Sequence, residues 1–74
     1  MELMGGWNYR LVRLEDGWVG LYEVYYDGND RPHMRTDDPT TLGGENEAEA
    51  QADLLYAIAA LGKPILEDKD IHGH

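Results

Sequence analysis

A chain of 74 residues with fifteen acids against six Lys and Arg, a net charge of −9 and no cysteine has room for one domain. That balance leaves little Lys or Arg to neutralise phosphate, which argues against a nucleic-acid binder, and it forbids disulfides and cysteine-based zinc or iron–sulfur sites. Serine is absent too, so serine and cysteine nucleophiles are excluded, and no apolar run approaches the roughly 20 residues of a membrane span, so the chain reads as soluble and cytoplasmic.

Residues 1–6 read as a flexible lead-in, because Gly5-Gly6 costs too much backbone entropy for a strand interior. Trp7 to Leu14 is aromatic, branched or Arg and predicts a strand. Glu15-Asp16-Gly17 supplies a turn, and Trp18 to Tyr26 is the strongest strand in the chain. Asp27-Gly28-Asn29-Asp30 is a second turn, and a short third strand follows over His33 to Thr36. After a loop containing Gly43-Gly44, Asn46 and Glu49 form a capping box, and Ala48, Leu54, Leu55, Ile58 and Leu61 fall on one helical stripe expected to face the core. Gln51 intrudes on that stripe. Gly62 is expected to close the helix as a left-handed cap before Pro64. Ile65 and Leu66 fold back onto the sheet, and 67–74 forms an acidic, His-bearing tail without fixed structure. The expected fold is α+β: a three-stranded antiparallel β-meander with one α-helix packed on one face, a β-β-β-α domain over 7–66.

The second strand carries the argument for a partner. Trp18, Gly20, Tyr22, Val24 and Tyr26 point one way, and Val19, Leu21, Glu23 and Tyr25 the other. Both sets are largely apolar, whereas a strand with one wet face alternates apolar and polar. One helix covers one face, so the other calls for a homodimer or a larger protein, with Trp18, Tyr22, Tyr25 and Tyr26 as dimer or anchor contacts. Glu23 is expected to pair with Arg10 or Arg13 of the neighbouring strand.

Chemical readings are weak. Asp27-Gly28-Asn29-Asp30 starts like a calcium loop, but Arg31, Pro32 and Asp38 stand at its fifth, sixth and twelfth places, so it reads as a hairpin turn. His72-Gly73-His74 beside Glu67, Asp68 and Asp70 has metal-binding groups on a mobile end, which reads as adventitious. No triad or paired-carboxylate pattern is present, and Glu45 and Glu47 would repel a phosphate from the helix start. The chain is expected to be no enzyme and to use no cofactor or metal.

Charge is uneven. Residues 1–36 carry six acids and four Arg, and residues 37–74 carry nine acids and two Lys. The second half therefore offers a surface for a basic partner, formed by Asp37, Asp38, Glu45, Glu47, Glu49 and Asp53.

Tyr9-Arg10-Leu11-Val12, Glu23-Val24-Tyr25-Tyr26-Asp27, Pro32, Asp38-Pro39, Gly43, the acid-capped helix and Lys63-Pro64-Ile65-Leu66 resemble a family of small bacterial and phage proteins with an EVYYD strand. The similarity spans 7–66 and is most specific at Glu23–Asp27. The layout is also similar to the N-terminal β-β-β-α domain of HicB antitoxins, which neutralise a small basic RNA-cleaving toxin, and to phage inhibitors of host defence nucleases, anti-CRISPR proteins among them. Unlike HicB proteins, the sequence has no C-terminal DNA-binding segment. Together these imply a small acidic protein that binds and inhibits a basic nucleic-acid-handling partner. The alternative is a structural homodimer or accessory subunit whose acidity serves solubility.

Overall fold

The computed structural model describes residues 6–71. Three strands form, β1 (Trp7–Arg13), β2 (Val19–Tyr26) and β3 (Pro32–Arg35), followed by helix α1 (Glu47–Ile58). A 3-10 turn (Ala59–Gly62), a two-residue strand β4 (Leu66–Glu67) and a second 3-10 turn (Asp68–Asp70) follow among the described residues. The sheet order is β3-β2-β1-β4. β1 and β2 pair antiparallel from Trp7↔Tyr25 to Arg13↔Val19, whereas β4 runs parallel to β1 through Val12↔Leu66 and Arg13↔Glu67. The sheet is therefore mixed and four-stranded, not the antiparallel three-stranded meander that local patterning suggests. A two-residue strand carries no period to read, and its parallel pairing is set by a distant part of the chain.

Both turns follow their residues. Gly17 takes φ 97° between β1 and β2. In the second turn Asp30 takes φ 60°, while the Asp27 carboxylate accepts the amides of Asn29 (2.8 Å) and Arg31 (3.1 Å). The hydrogen bonds from the Arg31 and Asn29 amides hold Asp27 below its usual pKa and employ the carboxylate locally. Within the expected lead-in, Gly6 is tied down, its carbonyl accepting from the Tyr26 amide at 2.9 Å. The rest of the lead-in lies outside the described residues.

The sheet buries both faces. On one, Tyr9 packs with Ala57 and Ala60, backed by Leu21 and Leu42. On the other, Val12, Tyr22 and Val24 pack with Ile71, backed by Leu14, Tyr26 and Leu66. Ile71 is 2% exposed, so the chain closes its own second face. This corrects two expectations. Residues 67–71 are part of the packed unit, and the apolar second face does not need another molecule to shield it. Ion pairs hold this cover: Arg35 Nε meets Asp68 Oδ1 at 2.6 Å, and Arg13 meets Glu67 at 2.5 Å. The charged run Glu67–Asp70 looks like a solvated tail, yet Glu67 and Asp68 are matched to Arg on two strands.

Arg10 ties the same region together from inside. Arg10 is 9% exposed, and its guanidinium donates to the Tyr26 hydroxyl (2.9 Å) and the Pro64 carbonyl (2.7 Å) and leaves Nε without a partner. Arg10 and Glu23 lie on opposite faces, because Glu23 is paired in register with Tyr9. The expected ion pair of Glu23 with Arg10 or Arg13 is therefore absent: Glu23 accepts from Tyr25 at 2.6 Å, and Arg13 is engaged by Glu67.

Candidate functional site

Helix α1 decides which surfaces remain free. Asn46 caps it as predicted, its Oδ1 accepting the Glu49 amide at 2.9 Å. Glu49 reaches back to the Glu45 amide (3.1 Å), one residue earlier than a standard capping box requires. The C-terminus departs from expectation: the last turn tightens into 3-10 geometry and Lys63 leaves in extended conformation, so Gly62 does not serve as a left-handed cap.

The helix meets the sheet through small residues. Ala57 and Ala60 are buried, whereas Leu54, Leu55, Ile58 and Leu61 are 49, 69, 57 and 73% exposed. The stripe predicted for the core thus faces outward. The reason is steric. Trp7, Tyr9 and Tyr56 form an edge-to-face cluster with ring centroids 5.3 to 5.5 Å apart between sheet and helix. The helix meets these rings edge-on with Tyr56, and beside them only the small Ala57 and Ala60 are buried. Hydropathy patterns score apolarity, not size, and so select the wrong side.

The acidic candidates separate into distinct roles. Asp53 faces inward: Oδ1 accepts the Tyr9 hydroxyl at 2.7 Å and Oδ2 the Gly43 amide at 3.1 Å. That bond, followed by burial, pushes the Tyr9 pKa up to about 12. The loop comes close to the helix at Gly44, where a Cβ would lie 2.8 Å from the Ala50 amide. Glu45, Glu47 and Glu49 gather at the exposed helix start. Asp37 and Asp38 are exposed just beyond the end of β3. Among the described residues none of these five side chains forms an ion pair.

The aromatic candidates are mostly committed to the fold. Tyr22 is 2% exposed, under Trp18 (centroids 6.3 Å apart) and the Arg35 guanidinium (4.9 Å from the ring centre), so it has no surface for a dimer. The Tyr26 hydroxyl accepts from Arg10 and donates to Asn8 (2.7 Å). Tyr25 is half-buried and donates to Glu23, which raises its pKa. Trp18 alone keeps half its surface, and its indole lies over Gly20, where any Cβ would collide with the ring.

An open cleft of about 380 Å³ is lined by Trp7, Asn8, Arg10, Tyr26 and Lys63, among others, and the terminal nitrogens of Arg10 are bonded to Tyr26 and Pro64. Among the described residues no three His, Asp or Glu converge to hold a metal, and no helix is long and apolar enough to cross a membrane. His72 and His74, with the metal reading attached to them, lie outside the described residues. No protein-family model matches the chain, and no curated protein or solved structure matches it.

Proposed function

We propose that this chain is a non-enzymatic interaction protein that binds and inhibits a basic, nucleic-acid-handling protein, in the manner of an antitoxin or a phage anti-defence inhibitor. One observation carries the reading: from Thr36 to Gly62 the chain holds six carboxylates and no Lys, Arg or His. Five of these, Asp37, Asp38, Glu45, Glu47 and Glu49, are solvent-exposed. A surface of one sign steers a partner of the opposite sign and competes with phosphate for its Lys and Arg. Asp53 drops out of this surface because Tyr9 and Gly43 engage it.

The test compares two variants of equal charge change, titrated with a poly-arginine peptide at low and physiological salt. Asp38→Lys with Glu45→Lys should weaken binding and flatten its salt dependence. Glu15→Lys with Asp70→Lys, placed outside the segment, should do so far less. Equal losses would mean that only net charge matters, which favours the accessory-subunit alternative and removes the acidic-surface reading.

A further inference from the structure

We infer that the cleft beside the start of β1 binds a small monocarboxylate, with Arg10 as the group that recognises it. Arg10 is the one charged side chain buried among the described residues. A guanidinium is permanently charged and carries five N–H donors. The fold offers this one two acceptors, the Tyr26 hydroxyl and the Pro64 carbonyl, both neutral, and Nε is buried without one. Arg13 and Arg35 each meet a carboxylate, whereas no ion pair among the described residues includes Arg10. A cation withdrawn from water without an opposite charge is destabilising, and an anion that reaches it offsets much of that penalty.

The neighbouring residues make the cleft a set of donors. The Tyr26 hydroxyl accepts from Arg10 and donates to Asn8 Oδ1. That orients the Asn8 amide and leaves its Nδ2 hydrogens as donors that no hydrogen bond among the described residues uses. Lys63 adds an exposed ammonium from the segment after α1. Asp30 is the single acid of the lining. Two cations against one carboxylate leave one positive charge, which suits a monocarboxylate better than a phosphate dianion in a chain of net charge −9. A guanidinium also takes the two oxygens of one carboxylate side by side. The volume of about 380 Å³ is at the small end for ligand sites, and Trp7 and Tyr26 give the lining aromatic carbon. The ligand class is therefore a carboxylic acid with one ring or a short apolar chain.

The test is an NMR titration of the isotope-labelled full chain with sodium phenylacetate, the ionic strength held constant with sodium chloride. The Arg10 Nε–H and Asn8 side-chain amide resonances should shift saturably, with a Kd of about 1 mM, the scale for a ligand of this size. Phenylacetamide, alike in shape but neutral, should bind about tenfold more weakly or worse. Inorganic phosphate should also bind more weakly than phenylacetate. Lys63→Gln should weaken phenylacetate binding, whereas Lys69→Gln, an equal charge change at an exposed site outside the cleft, should leave it unchanged. Asn8→Asp keeps the acceptor for Tyr26 and brings a carboxylate near the cation, since Asn8 and Arg10 both lie within 2.9 Å of the same hydroxyl oxygen. It should abolish binding while the melting temperature equals or exceeds the parent's. No saturable shift, an amide or phosphate that binds as well as phenylacetate, or equal effects of the two lysine variants would overturn the assignment. So would an Asn8→Asp variant that binds like the parent or melts below it. Asp38 and Glu45 lie outside the cleft, so the acidic-surface reading stands or falls separately.

Discussion

The Tyr9 hydroxyl links the sheet to α1 through Asp53, and its protonation sets an alkaline limit on that link. Its pKa is pushed from 10.0 to about 12 in the folded chain, so folding favours the neutral phenol. The contribution is complete below about pH 10 and is lost as the pH rises through about 12. Tyr9→Phe should cost roughly 1.5–3 kcal/mol at neutral pH, the range of a hydrogen bond to a charged group. Urea titrations of parent and variant should converge as the pH climbs through that window. A residual alkaline slope will persist in the variant, because Tyr25 is raised in the same direction by Glu23. Arg10 makes a contrasting point about single residues. From sequence it reads as a partner for Glu23, yet strand register sends it to the other face, where two neutral oxygens hold it.

Among the elements, the segment Leu66–Ile71 does what one helix cannot, sealing the Val12–Tyr22–Val24 side of the sheet. Ile71→Ala should destabilise the fold by about 2–5 kcal/mol, the range for an aliphatic side chain deleted from a core, and should raise dye binding at the uncovered face. Thermal melts with a fluorescent apolar probe would check both. The sequence makes the three early strands and the helix legible, since their residues carry period, turn and cap signals within a few positions of one another. It hides β4 and the closing turn, whose residues are charged and whose fitness depends on Arg13 and Arg35 far away in the chain. It also hides which side of α1 faces inward, because that depends on the bulk of Trp7 and Tyr9 rather than on the helix's own pattern. Of the candidate surface, the acids of 37–49 were readable from charge alone. The leucine face was readable as apolar but assigned to the wrong environment.

For the whole molecule, a net charge of −9 is spread over a body of 37 × 35 × 22 Å. At about 0.01 M salt the screening length is about 30 Å, comparable with those dimensions, and it falls to about 8 Å at physiological ionic strength. Self-repulsion then fades, so the melting temperature should rise by about 4–8 °C across that range, equivalent to roughly 1 kcal/mol for a domain of this size. Scanning calorimetry at matched pH would check it, and a flat response would mean that local ion pairs outweigh the collective field. The parallel union of β4 with β1 has a kinetic side as well. The β1–β2 hairpin closes a short loop, whereas Val12 and Leu66 must find each other across most of the polypeptide. The hairpin can nucleate early while the Ile71 cover docks late, so trimming Ile71 to alanine should accelerate unfolding and leave the refolding rate almost untouched in stopped-flow traces. A nascent chain would accordingly carry the Val12–Tyr22–Val24 face without its Leu66–Ile71 cover until that segment is synthesised, a window in which chaperones or like chains compete for the same face.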